Sequence, residues 1–149
     1  MNNMTKKFER KLRSFLFFCF LTDQKPYSPY IKFAKLIKTT QRLLPNKTII
    51  LSMDKHGILL INNKNKIYKY FPVNENQAWN KIPITNVSGS GDTFTGALVS
   101  KLANNENLEV AIKYGLEAAQ YSLRHEGSIS DLISSDLYVS FWKSYEIEL

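Results

Sequence analysis

Three small residues, Gly89, Ser90 and Gly91, lead directly into the carboxylate of Asp92 and a helical pattern, and this combination limits how the chain can fold. Their backbone N–H groups can approach a ligand closely, and glycine adopts positive φ at no steric cost. After Asp92, apolar residues recur at helical spacing: Phe94, Ala97, Leu98 and Leu102. Because the first amides of a helix lack internal partners, this stretch predicts an anion site with a carboxylate beside it.

Asp92 has two interpretations at this position. A carboxylate at the start of a helix is commonly an N-cap that accepts hydrogen bonds from amides two or three residues on. The alternative is a general base beside a bound anion, which the flanking glycines favour because a cap does not require them. Gly96 and Ala97, one turn into the helix, are small enough for another backbone or a ligand to pack there, or for ordinary helix packing.

The segments around this turn predict alternating helices and strands. Upstream, we expect a helix over 27–44, closed by Pro45, then strands over 48–52 and 58–61 joined by a turn at 53–57. A third strand over 66–71 follows the polar turn 62–66, and 73–83 is a polar connection. Downstream, apolar spacing predicts a helix over 108–123 with Asn107 as its cap.

The stretch from Asn86 to Val99 resembles the C-terminal signature of the ribokinase family, also called the PfkB carbohydrate kinases. In that family the turn forms an anion hole for the transferred phosphoryl group, and its aspartate removes the proton from the acceptor hydroxyl. The resemblance therefore implies Asp92 as the catalytic base, with Gly89, Ser90 and Gly91 lining the hole. It also implies ATP as the phosphoryl donor and Mg²⁺ held mainly by phosphates and water, and it allows for a monovalent cation.

Two further segments resemble the nucleotide-binding parts of the same family. Relatives often carry a Thr-x-Gly-x-x-Gly pattern beside the nucleotide, and here Ser52 stands for the threonine and Gly57 for the second glycine. Asp54 departs from the pattern at the first glycine. In the family, a helix with paired small residues packs beside the adenine, which would place Ala118 and Ala119 at the base unless they are ordinary core alanines.

The residues at each position of this signature carry information about the substrate. Asn86-Val87-Ser88-Gly89-Ser90-Gly91-Asp92 resembles the pseudouridine kinase branch, since many sugar kinases have aspartate at the position of Asn86. The expected activity is ATP-dependent phosphorylation of a hydroxyl group on a sugar or nucleoside, with pseudouridine favoured.

The resemblance covers roughly residues 45–132, and 26–149 is interpreted as a partial PfkB-type domain. The implied fold class is α/β, the C-terminal portion of a ribokinase-like three-layer α/β/α sandwich, truncated at its N-terminal side. A sheet cut in this way would expose strand edges, so we expect the chain alone to bind nucleotide weakly and turn over poorly. A complementing N-terminal half or a homodimer is one expectation, and a noncatalytic remnant that binds nucleotide or a partner is the alternative.

Residues 1–25 form a divergent segment in which basic residues precede a run of seven apolar residues, Phe15 to Leu21. The order resembles a signal peptide, but the run is too short to span a bilayer and no small-residue cleavage site follows it. We therefore expect a cytoplasmic protein without a membrane anchor.

The formal net charge of +7 raises the alternative of a nucleic-acid-binding module. Its basic residues are spread along the chain, with clustering only at residues 6–13, and no RNA-binding motif is present, so we expect no nucleic-acid partner. The single Cys19 excludes an intramolecular disulfide, and His56 and His125 lack metal-ligand spacing. No protein metal ligands are expected.

Overall fold

The computed structural model describes residues 29–73, 79, 81–128, 130–137, 139 and 141–149. The predicted divergent segment, residues 1–25, lies outside the described residues. The chain divides into two compact units: Met1–Val73 with Ser144–Leu149, and Asn74–Lys143.

The first unit is built on a four-stranded antiparallel sheet in the order β1-β2-β3-β4. Its strands are β1 (Thr48–Ser52), β2 (Ile58–Asn62), β3 (Ile67–Phe71) and the short β4 (Tyr145–Glu146). The first three strands match the sequence prediction within one residue. β4 was not predicted, since a two-residue strand has no detectable periodicity.

Apolar residues on both faces of β1 and β2 are buried, as expected for strands with continuous apolar runs. Ile49 pairs with Ile61 and Leu51 with Leu59 on one face, while Ile50 pairs with Leu60 on the other. On the first of these faces, α1 (Pro29–Leu43) packs through Phe33 and Ile37. The helix predicted over 27–44 is confirmed within the described residues, although it ends one residue earlier, at Leu43.

The turn between β1 and β2 requires a glycine at its end. A short 3₁₀ helix (Asp54–His56) leads to Gly57, whose φ is +99°. A Cβ atom placed on Gly57 would lie 2.0 Å from the carbonyl oxygen of Phe71. Only glycine fits this close approach between the turn and the end of β3.

The second unit contains two packed helices, α2 (Ser90–Ala103) and α3 (Leu108–Leu123). They approach so closely at Gly115 that a Cβ atom there would lie 2.9 Å from the carbonyl oxygen of Phe94. Asn107 caps α3, because its side-chain oxygen accepts a hydrogen bond from Val110 N at 2.8 Å. The predicted cap and both ends of α3 are confirmed.

A carboxylate, Glu117, is buried in the middle of α3 with 4% of its surface exposed. One of its oxygens, Oε2, accepts hydrogen bonds from Nε1 of Trp79 and Nε1 of Trp142, each at 2.9 Å. Burial raises the pKa of the Glu117 carboxyl, since desolvation outweighs the lowering effects of the two indole N–H groups and of the Arg124 charge. The burial of Glu117 was not predicted, because residue 117 lies off the apolar spacing of the helix.

Replacing Gly57 with alanine should destabilise the chain by more than about 2 kcal/mol, because the new Cβ would collide with the Phe71 carbonyl at a left-handed φ. The matched control is Gly96→Ala within α2, where a Cβ would meet nothing within 4 Å. That variant should be about 0.5–1 kcal/mol more stable than the wild type, because alanine loses less backbone entropy on folding. Urea unfolding measures the free energy of unfolding of both variants. Equal changes in the two variants would contradict the structure.

The raised pKa of Glu117 predicts how stability depends on pH. The folded chain retains this proton above the pH at which the unfolded chain loses it. The resulting stabilisation is complete below the unfolded pKa and is lost as pH rises through the folded pKa. Glu117→Gln keeps an oxygen acceptor for both indoles but does not titrate. Its free energy of unfolding should therefore rise relative to the wild type as pH increases from below the unfolded pKa through the folded pKa, by about 1.4 kcal/mol for each unit of the shift. A pH-independent difference in urea unfolding would refute this.

Candidate active site

Gly89 gives the turn before α2 its shape. Its φ of +79° is left-handed, and it occupies the N-cap position of the helix. A Cβ atom there would lie 2.6 Å from the carbonyl oxygen of Ser128. That carbonyl is itself held by the buried hydroxyl of Ser122 at 2.9 Å, so it has little freedom to retreat. Glycine is therefore required by both conformation and space.

The chain entering this turn is fixed to the C-terminal end of α3. Thr85 N and Asn86 N donate to the carbonyl oxygen of Leu123 at 2.8 and 3.2 Å. The Asn86 side chain donates through Nδ2 to Glu126 O at 3.0 Å and accepts from Ser88 N at 2.9 Å. Asparagine suits this position because it provides both a donor and an acceptor.

The first amides of α2 are available to an anion. The first bond of the helix runs from Thr93 N to Gly89 O at 2.8 Å, and no described residue accepts a hydrogen bond from the amides of Ser90, Gly91 or Asp92. The hydroxyl of Ser90 instead donates to Val87 O at 3.1 Å. A Cβ atom on Gly91 would meet nothing within 4 Å, so the space beside it is open. Unpaired amides and the helix dipole together favour a phosphate here.

Asp92 is the third residue of α2, and its side chain is exposed. The N-cap is Gly89, and no side chain caps the helix by a hydrogen bond, so the interpretation of Asp92 as an N-cap is wrong. Within the described residues, its carboxylate makes no hydrogen bond or ion pair. A carboxylate that is unpaired and adjacent to an anion site is free to accept a proton from a bound hydroxyl.

Ala118 and Ala119, the predicted neighbours of the adenine, lie in the same unit on α3. Ala118 has no exposed surface, whereas Ala119 is partly exposed. On α2, the hydroxyl oxygen of Thr93 is buried without a hydrogen-bond partner among the described residues. The role of both alanines stays a prediction.

Ser52 and Gly57, the other predicted nucleotide contacts, belong to the first unit. Ser52 ends β1 opposite Ile58, and Gly57 closes the following turn. Asp54, where relatives have glycine, has a φ of +51°, so it keeps the left-handed backbone that glycine usually provides. The turn formed by Gly89, Ser90 and Gly91, here called the anion turn for its proposed role, therefore lies in one unit with Asp92 and the two alanines. Ser52 and Gly57 lie in the other unit.

A cluster of Glu117, Trp79, Trp142 and Arg124 in the second unit was not predicted from the sequence. Glu117 and Trp142 are buried, whereas Trp79 and Arg124 are partly exposed. Arg124 donates to Ile82 O, Trp79 O and the side chain of Gln120. Nothing in the spacing of these residues along the chain brings them together. Across the described ranges, no three His, Cys, Asp or Glu residues are grouped to hold a metal ion. No described helix is both long and apolar enough to cross a bilayer.

The family model described as pfkB family carbohydrate kinase matches residues 32–135 of this chain. Ribokinase from Cryptococcus neoformans var. grubii serotype A in complex with ADP is similar in structure, with a TM-score of 0.56 and 24% identity over 71% of this chain and 35% of its own.

Two other solved structures have the same fold. Phosphofructokinase-2 from Escherichia coli in complex with potassium has a TM-score of 0.56 and 20% identity, covering 78% of this chain and 37% of its own. Ribokinase from Arabidopsis thaliana complexed with ribose and ATP has a TM-score of 0.56 and 17% identity, covering 71% of this chain and 33% of its own. The chain thus spans about a third of the length of these proteins.

These similarities confirm the predicted fold class, an α/β portion of the ribokinase-like fold. Because the match to the family extends over more than half of the sequence and includes the anion turn with Asp92, the chain belongs to the pfkB family of carbohydrate kinases.

Proposed function

We propose that this chain contributes the phosphoryl-transfer site of an ATP-dependent kinase that acts on a hydroxyl group of a sugar or nucleoside. The observation that carries the proposal is the unpaired, exposed carboxylate of Asp92 directly after the free amides of Ser90 and Gly91. Phosphoryl transfer depends mainly on positioning and on stabilising negative charge, and both requirements suit this turn.

The transfer would proceed in line at the γ-phosphorus of ATP. The acceptor hydroxyl gives its proton to the Asp92 carboxylate as its oxygen forms a bond to the phosphorus. The bond from that phosphorus to the β,γ-bridging oxygen breaks, and ADP leaves with the electron pair. The amides of Gly89, Ser90 and Gly91 stabilise the charge on the equatorial oxygens, aided by the positive end of α2.

The proposed phosphoryl transfer requires a bound nucleotide and ions. Ser52, Gly57, Ala118 and Ala119 are proposed to border the nucleotide. Two ribokinases of similar structure contain ADP or ATP, which supports ATP as the donor. Mg²⁺ would be held mainly by phosphates and water, because Mg²⁺ commonly keeps several waters in phosphate sites. A monovalent cation is proposed by similarity to phosphofructokinase-2, whose structure contains potassium.

Pseudouridine is the proposed acceptor, because the sequence from Asn86 to Asp92 resembles that of pseudouridine kinases. Both polar groups of the Asn86 side chain are engaged with the backbone at Glu126 and Ser88. The amide donor to Glu126 O would be absent in aspartate, so the need to hold the turn also accounts for asparagine here. The acceptor is therefore best identified with a panel that includes ribose, adenosine and fructose.

The remainder of the kinase fold is proposed to come from a complementing N-terminal half, with a homodimer as the alternative. The chain spans about a third of the similar kinases, and β1, an edge of the described sheet, has apolar residues buried on both faces. The complete kinase is proposed to be cytoplasmic, where ATP is available.

Asp92→Asn should lower kcat by about 10²- to 10⁴-fold with the preferred acceptor, because an amide cannot take up the hydroxyl proton. The expected loss of stability is small, about 0.3–1 kcal/mol from the helix dipole, so the variant should fold. Release of ADP is measured with the full chain, alone and with any polypeptide that supplies the N-terminal half.

Glu106→Gln is the matched control, since it removes an exposed carboxylate from the loop that follows α2. It should leave kcat unchanged. Equal turnover by Asp92→Asn and the wild type would exclude Asp92 as the base. Binding of ATP without turnover of any acceptor would instead favour the noncatalytic remnant.

A further inference from the structure

Both tryptophans of the sequence donate to the same oxygen of Glu117. A carboxylate with 4% exposure needs such donors, because an unpaired buried charge is costly. The two indoles differ in where they lie along the chain. Trp79 precedes the anion turn, whereas Trp142 lies near the end of the second unit.

Trp79 and Arg124 hold the start of the segment that leads along the chain to the turn at Gly89. The carbonyl oxygen of Trp79 accepts from Ile82 N at 3.1 Å and from Nη2 of Arg124 at 2.7 Å. Nε of Arg124 also donates to Ile82 O at 3.1 Å, and its guanidinium lies 5.0 Å from the centre of the Trp79 ring. Arg124 follows the last residue of α3, so these contacts fasten the segment to that helix.

The same segment is fastened again immediately before the turn. Thr85 and Asn86 donate to Leu123 O, and Asn86 then holds Ser88. Glu117 thus holds Trp79 at the start of the chain segment that is hydrogen-bonded at Ile82, Thr85, Asn86 and Ser88 and then enters the turn at Gly89.

A contribution to folding stability does not by itself explain why a carboxylate occupies this position. A buried charge, even when paired, is often no better than an apolar side chain of the same volume. Its Oε2, which accepts a hydrogen bond from the Trp79 indole, does, however, fix Trp79 in one place. We propose that Glu117 is a positioning residue for the anion turn, acting through the indole of Trp79; as a role in phosphoryl transfer, this rests on the proposed function.

Amide hydrogen exchange measured by NMR on the full chain tests the inference without any assay of activity. The reporters are the amides of Ile82, Thr85 and Asn86, each compared with the amide of Leu116 within α3, which corrects for global stability. Trp79→Phe and Trp142→Phe each remove one indole N–H from the same oxygen. Trp79→Phe should speed exchange of the reporters relative to Leu116 by about tenfold or more, whereas Trp142→Phe should not.

Substitution of the acceptor provides a second test if Trp142→Phe fails to fold. Glu117→Leu should speed exchange of the same three amides, and Glu117→Gln, which keeps an oxygen acceptor, should restore it. A purely structural role would raise exchange in all parts of the second unit together. Unchanged ratios to Leu116, or equal ratios in the two tryptophan variants, would overturn the inference.

Kinase activity separates this inference from the proposed function. If the chain with its N-terminal half transfers phosphate, Trp79→Phe should reduce kcat more than Trp142→Phe does. If the wild type has no activity, the proposed function fails, while the exchange ratios still decide whether Glu117 positions the turn.

Discussion

The left-handed turn at Gly89 is the constraint on which the second unit depends. Gly89 packs against the Ser128 carbonyl, which the buried Ser122 hydroxyl holds in place. The backbone on the other side of the turn is bonded to Leu123 O. Gly89 and the residues just before it are therefore held against the last turn of α3 and the chain just after it. The amides that open α2 remain unpaired because this turn directs the chain straight into the helix.

This arrangement supports the proposal that the start of α2 binds an anion. Ordinary N-caps use a side-chain oxygen to satisfy the first amides, and that oxygen would compete with a bound phosphate. Glycine at the cap provides no such oxygen, and the Ser90 hydroxyl is directed to Val87 O instead. The turn leaves the amides and the Asp92 carboxylate available at the same place.

The two units differ in the kind of side chains that they bury. In the first unit, paired apolar side chains of β1 and β2 and the apolar face of α1 form a core by hydrophobic burial. The second unit places a carboxylate and a guanidinium among aromatic rings, where burial raises the pKa of Glu117 and lowers that of Arg124. Such groups need specific partners in specific directions, so they define the path of the chain more sharply than apolar contacts do.

Within the described residues, the sequence by itself determined the first three strands, the helices α1, α2 and α3, the Asn107 cap and the glycine turn that opens α2, because these depend on local periodicity and on residue types with strong backbone preferences. It left the role of Asp92 open between cap and base. Only the tertiary structure decided that Gly89 is the cap, and that Glu117 lies buried between two tryptophans, one 38 residues before it and one 25 residues after it. Those outcomes depend on contacts between residues far apart in the chain, and neither spacing nor composition encodes such contacts.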